Sequence, residues 1–318
     1  MKHNIADDTT IFRRKSRFVP YLITIFCVAA AVGVASFFIY RIISKKIHSE
    51  SSVSTLYARW KGYDYAGVYE TSKRMLERKP FNNTALTYHG YASFYLGVSQ
   101  LDTSTAQNYL DESINNLRLA LLSARKPLKP QLEYMLGKAY FYKNTISSYY
   151  YADLAVKYLQ MAKNDGYKAD DIPEYLGLSY ASLDMTMDSI SSFTEALLVR
   201  ESDTLLLSIA EQYCKAGQNA AAEQYLFRIV NNCKDDTLVL KSRVLLGNIY
   251  IDEEKYSDAE QEFTTVLGKN ENSADAYYGL GVIYEKQGDL VKARSEWRKA
   301  LRIQVNHPGA LKKMADYK

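Results

Sequence analysis

The sequence predicts an all-α chain, an α-solenoid of stacked helical hairpins preceded by one N-terminal transmembrane helix. Three observations predict it. A long apolar run without charge lies near the N-terminus, and the pattern Leu-Gly-x-x-Tyr recurs four times further along. In the last two copies five matched residues repeat at a single offset of 34 residues.

The apolar run comes first. No charge occurs from Phe18 to Tyr40, a stretch of 23 residues. As a helix it measures about 34 Å, enough to cross a hydrocarbon core of about 30 Å. Arg13, Arg14, Lys15 and Arg17 precede it, Arg41, Lys45 and Lys46 follow, and Tyr21 and Tyr40 stand near its ends, where aromatic rings favour the interface. A cleaved signal peptide fits less well. Gly33-Val34-Ala35 offers a small-residue site, but Phe37-Phe38-Ile39-Tyr40 carry the apolar run past it. Phe26 stands before Cys27, where a lipoprotein signal needs a small residue. The predicted organisation is a basic cytoplasmic tail over 1–17, a transmembrane helix over 18–43, a linker over 44–50 and a solenoid over 51–318. Four bases before the span against three after it place the body on the outer, periplasmic or extracytoplasmic, side of an inner membrane. A body facing the cytoplasm is the alternative.

Charge and cysteine content narrow the function. The formal net charge is +4, but residues 1–50 hold 8 Lys/Arg and 3 Asp/Glu, which leaves 32 basic and 33 acidic residues in the body. A body this close to neutral gives phosphate-backbone binding little to act on, so no nucleic-acid partner is expected. Cys27, Cys214 and Cys233 form no CxxC pattern and no disulfide framework. Cys214 and Cys233 fall on the two helices of one expected hairpin, on the order of 10 Å apart, too far for a bridge.

The repeats supply the architecture. Gly247, Tyr250, Ala259, Phe263 and Leu267 map onto Gly281, Tyr284, Ala293, Trp297 and Leu301. Ala210, Tyr213, Ala222 and Leu226 form an earlier copy, and Gly177, Tyr180, Ser189, Phe193 and Leu197 the one before. Gly137, Tyr140, Ala155 and Leu159 form another, with extra residues around Asn144–Tyr149. Upstream, Ala92, Tyr95, Ser113 and Leu117 fit with a longer insertion, and Gly62-Tyr63-Asp64-Tyr65 with Leu76 and Pro80 reads as the second helix of an incomplete first copy. Regular repeats thus cover about 130–307 and degenerate ones about 51–127.

Glycine inside a helix costs ~1 kcal/mol relative to alanine, so four at matched places need compensation. Small residues opposite them (Ala155, Ser189, Ala259, Ala293) let two helices approach closely. Tyr140, Tyr180, Tyr250 and Tyr284, with Phe193, Phe263 and Trp297, are expected to fill the space between successive hairpins. That use accounts for much of the 28 tyrosines.

The spacing resembles the tetratricopeptide repeat family, whose helix–turn–helix units carry Trp-x-x-Leu-Gly-x-x-Tyr, then Ala, then Phe, then Ala and Pro. The resemblance covers roughly 51–307. The closing proline is missing after most copies, and Pro308 comes late. It implies a protein–protein interaction array whose first helices line the binding face. On those helices the residues three before, one after and four after the small residue share a stripe, being spaced i, i+4 and i+7. The candidate groove residues are Tyr134, Lys138, Phe141, Leu178, Leu207, Val244, Asn248, Ile251, Tyr278 and Val282. Ten of the fifteen residues on the full stripe are apolar. The stripe reads either as a groove for an apolar or amphipathic segment or as surface that the solenoid buries against itself. Ser147-Ser148-Tyr149-Tyr150-Tyr151 is a second candidate contact.

No enzyme is expected. The sequence has no glycine-rich phosphate loop, no HExxH and no GxSxG, and its four histidines are scattered. No catalytic residue, cofactor, metal or small-molecule substrate is assigned; an enzyme with an unrecognised site is the alternative of another class. The expected function is a membrane-tethered protein–protein interaction scaffold in a bacterial envelope, serving assembly, secretion or quality control. Its partner is a protein or peptide segment, with the membrane engaged through 18–43.

Overall fold

The computed structural model describes residues 29–41 and 52–317. Residues 29–41 are helical (α1) with exposed side chains. They are the described part of the expected span. Its remaining residues, 18–28 and 42–43, lie outside the described residues, as do the tail 1–17, Cys27 and the linker 44–50. No helix among the described residues is long and apolar enough to cross a membrane.

The described chain is all-helical and falls into two compact units, one through Ala85 and one from Leu86 onward. The first unit holds α2 (Val53–Lys61) and α3 (Tyr65–Arg78). Ser52 caps α2 by accepting from the Thr55 amide at 3.2 Å, and Asp64 caps α3 by accepting from the Gly67 amide at 2.8 Å. Arg59 Nη1 donates across the pair to the Gly67 carbonyl and to Thr71 Oγ1, each at 2.8 Å. The first copy therefore has both helices, not the second alone. Helix α2 escapes the repeat pattern because it is only 9 residues long and buries only Leu56.

After α4 (Asn83–Val98) come α5 (Thr103–Leu122), α6 (Lys129–Ile146), α7 (Ala152–Asn164), α8 (Ile172–Ser182) and α9 (Thr186–Val199). These are followed by α10 (Asp203–Lys215), α11 (Asn219–Asn232), α12 (Asp236–Asp252) and α13 (Tyr256–Lys269). The last are α14 (Ala274–Lys286), α15 (Leu290–Ile303) and α16 (Pro308–Asp316). They pair as successive antiparallel hairpins, α4 with α5 through α14 with α15, and α16 closes the stack. Burial runs continuously from hairpin to hairpin, as a repeat array requires.

The glycines show how each hairpin closes. A Cβ on Gly137 would lie 2.6 Å from Leu159 Cγ, and one on Gly247 would lie 2.6 Å from Phe263 Cζ. Gly177 and Gly281 stand in the same way beneath Phe193 and Trp297. The large side chain four residues after the small one thus rests in the notch that glycine leaves. The rings therefore close a hairpin as well as filling the expected space between hairpins, where Phe193 packs with Leu205 and Ile209 of α10 and Trp297 with Ala310 of α16. Phe263 does both, since its ring also covers Gly279 of α14. Two tyrosine pairs stack within hairpins, Tyr140 on Tyr158 at 5.6 Å and Tyr213 on Tyr225 at 5.7 Å between ring centroids, while Tyr250 and Tyr284 pack against the clusters of successive hairpins as expected.

In α4 the small role belongs to Gly90 rather than Ala92. A Cβ there would meet Leu117, and Ser113 Oγ donates to the Gly90 carbonyl at 2.8 Å. Ser189 Oγ makes the same bond to Gly177, also at 2.8 Å. The register expected from Ala92 thus shifts by two residues, because two small residues in one turn satisfy the same pattern.

Candidate functional site

The first helices of the hairpins, α6, α8, α10, α12 and α14, present the expected stripe, and its best-built part lies between α6 and α8. Tyr134, Lys138 and Phe141 are half-buried on one face of α6. Asp171, at the N-terminus of α8, reaches back to them. The Tyr134 hydroxyl donates to its carboxylate at 2.8 Å, and Lys138 Nζ donates to Oδ2 at 2.9 Å. The same ammonium lies 5.2 Å from the Tyr134 ring centroid and 4.8 Å from that of Tyr175, a cation–π arrangement on two rings. Phe141 meets Tyr175 edge-on at 4.9 Å, and the Tyr142 and Tyr175 hydroxyls are 3.1 Å apart. Phe94 of α4 extends this row of rings to Tyr142 at 5.6 Å.

Burial raises the Tyr134 hydroxyl above its ordinary pKa, and the bond to Asp171 adds to the shift. Burial likewise raises Tyr175, helped by Tyr142. Both stay neutral hydroxyl donors across the physiological range. Lys138 is held by a carboxylate and two rings, so it is a fixed part of the surface rather than a free cation.

The other candidates divide by burial. Leu207 and Ile251 are 5% and 9% exposed and belong to the packed core. Leu178, Val244 and Val282 are half-buried against neighbouring core clusters, and Asn248 is exposed. Tyr278 is half-buried beside His307, with 5.0 Å between ring centroids. Shallow depressions flank the stripe. One of 320 Å³ is lined by Asp171, Glu174 and Arg200, and one of 370 Å³ by Leu240, Lys241, Val244 and Asp275. In the second candidate contact, Tyr149 and Tyr150 are exposed while Tyr151 packs on Tyr140.

Sequence reasoning missed Asp171, Tyr142 and Tyr175 as parts of this face. Asp171 follows Lys138 by 33 residues, a spacing that matches no repeat offset, and the two meet only through the packing of α8 on α6.

Residues 244–310 match the family model of the tetratricopeptide repeat. The fold of the longer array agrees with that. The chain resembles the C-terminal part of a tetratricopeptide repeat protein from Cytophaga hutchinsonii, with TM-score 0.57, 12% identity, and coverage of 82% of this chain and 98% of that one. A tetratricopeptide repeat protein from Parabacteroides merdae aligns with TM-score 0.49 and 17% identity over 84% of this chain and 97% of that one. YrrB, described as having an unusual peptide-binding site, aligns with TM-score 0.46 and 22% identity over 63% of this chain and 97% of its own. No curated protein matches the chain.

Tetratricopeptide repeats serve as protein–protein interaction scaffolds. In this array the charges on the stripe are already paired. Lys138 is held by Asp171, Glu174 by Arg200 at 3.1 Å, Glu211 by Lys241 at 2.6 Å and Glu285 by Lys313 at 2.5 Å. A face neutralised in this way offers aromatic and aliphatic contact with neutral hydroxyls.

Proposed function

We propose that the chain is a protein–protein interaction scaffold that takes a largely uncharged, apolar or amphipathic segment of another protein along its first-helix stripe. The observation that carries this is the row Tyr142, Tyr175 and Phe141, backed from the core by buried Phe94, with Lys138 fixed inside it by Asp171. Rigid rings lose little entropy on binding, and pre-paired charges need no rearrangement. Tyr134, Lys138, Phe141, Leu178, Val244, Asn248, Tyr278 and Val282 are the contact residues. Leu207 and Ile251 support them from the core.

The finer reading is tethering. The uncharged run from Phe18 to Tyr40 would anchor the scaffold to an inner membrane, with the body on the outer side of a bacterial envelope for assembly, secretion or quality control. Anchoring raises the effective concentration of whatever the array binds. Photo-crosslinkers at Phe141 and Leu178 test the face. The expected result is one partner captured at both positions and not from exposed Gln261 on α13. Equal capture at all three positions, or none, would remove the groove reading. A reporter fused after Lys318 tests orientation, and activity only inside the cytoplasm would support the cytoplasm-facing alternative.

A further inference from the structure

The outer end of α5 and the connector that follows carry a surface unlike the rest of the body. Residues 113–132 contain Arg118, Arg125, Lys126 and Lys129 and no Asp or Glu, in a body that is otherwise near neutral. Asn115, Arg118, Leu119 and Leu122, spaced i, i+3, i+4 and i+7, share one face of α5. They line a shallow depression of 340 Å³. Leu119 is 41% and Leu122 85% exposed, and Arg118, Arg125 and Lys126 are exposed around them.

The acids nearest in sequence are committed elsewhere. Asp111 pairs with Lys143, and Glu112 accepts from His89 at 2.8 Å. Glu133 and Asp165 are both taken by Lys129, each at 3.4 Å. Among the described residues no carboxylate lies within ion-pair distance of Arg125 or Lys126. Two leucines project into solvent beside Arg118, which reaches the Tyr140 hydroxyl, and next in sequence to the unpaired cations Arg125 and Lys126.

We propose that this patch is an interfacial docking site for an anionic phospholipid bilayer. Leu119 and Leu122 enter the boundary between headgroups and acyl chains, and Arg118, Arg125 and Lys126 lie at the phosphate level. Apolar side chains set among bases partition in this way. An acidic peptide would match the charge but leave Leu122 without an apolar wall, whereas a bilayer satisfies both. The proposal goes beyond partner binding on the first-helix stripe, because the patch lies on a second helix. It rests on the tether only for proximity. Residues 44–51 can reach no more than about 30 Å when extended, so a chain anchored through 18–43 keeps the start of α2 within that distance of the lipid surface.

The test uses the full-length chain with its three cysteines replaced by serine and a bimane probe on Leu122→Cys or, as the control, Gln261→Cys. Each is reconstituted into nanodiscs of brominated phosphatidylcholine, with or without one third phosphatidylglycerol. The proposal expects quenching at 122 in anionic discs, much less in neutral ones, and little at 261 in either. Arg125→Glu with Lys126→Glu should weaken docking roughly tenfold or more, since each base near an anionic surface contributes on the order of 1 kcal/mol. Equal quenching at 122 and 261, or quenching at 122 that ignores lipid charge, would overturn it. So would a poly-glutamate peptide that shifts the probe at 122 as strongly as anionic lipid does. Failure to incorporate into neutral discs would count against the anchor alone. The patch would then be read by flotation with anionic against neutral vesicles, where equal flotation overturns it.

Discussion

Gly247 lies beneath the edge of the Phe263 ring, where any added carbon would sit 2.6 Å from Cζ. Phe263 is fully buried and is also pressed against Gly279, so the ring has nowhere to retreat. Gly247→Leu should therefore destabilise the array by about 2–3 kcal/mol through overpacking. An unchanged chemical-denaturation midpoint would refute the notch. Glu133 presents the opposite case. Its side chain is buried, neither oxygen has a hydrogen-bond partner, and its one cation, Lys129, is 3.4 Å away. Desolvation raises its pKa, opposed by Lys129 and reinforced by Asp165. A carboxyl with a raised folded-state pKa favours folding while protonated. That contribution is complete below its unfolded value and is lost as pH rises through the folded one. Glu133→Gln should then stabilise the protein at pH 7, with the gain over wild type shrinking as the buffer is taken down towards pH 4. Denaturation curves across that range check the sign, and a gain that grew on acidification would contradict it.

Helix α16 depends on one residue at its start. His307 is buried, and its Nδ1 accepts the Ala310 amide at 3.1 Å, so the ring proton sits on Nε2, 3.0 Å from Asp275 Oδ1. His307→Ala should loosen α16 by about 1 kcal/mol, the usual worth of an N-cap, and His307→Asn should restore most of it. Faster amide exchange over 310–316 in the alanine variant alone would show this; no change in either variant would place the helix under the control of Trp297 and Tyr317, which stack at 5.9 Å. Elements of this kind were unevenly legible in the sequence. Gly137, Gly177, Gly247 and Gly281 could be read because glycine is costly in a helix and its recurrence demands a cause. Gly90 was passed over for Ala92, since two small residues in one turn satisfy the same pattern. The stripe was legible as periodicity, but periodicity cannot say which members sink into the core, and Leu207 and Ile251 did. Asp171 and Tyr175 were beyond reach because their meeting with Lys138 depends on how two hairpins register, which lies in packing rather than in local sequence.

Across the whole molecule the charge is divided by position. The first fifty residues hold the basic excess and the body is near neutral, so attraction to a lipid surface must come from the N-terminal segment or from a local patch such as the end of α5. These two sources are separable. The side chains of residues 29–41 are exposed, and the caps and core of α2 and α3 are supplied from Ser52 onward, so deleting 1–50 should leave the thermal midpoint of the body unchanged. On the proposed tethering, the truncated body should leave the carbonate-resistant membrane fraction. Any residual association should need anionic lipid and be lost in high salt, because screening weakens interactions between exposed charges. A truncated body that still resists carbonate would place membrane attachment outside 1–50. One that melts markedly lower would mean that the N-terminal segment packs against the repeats. A body that is soluble, equally stable and bound to anionic vesicles only at low salt would support both readings, with the span holding the scaffold at the membrane and the α5 patch turning one face of it to the lipid.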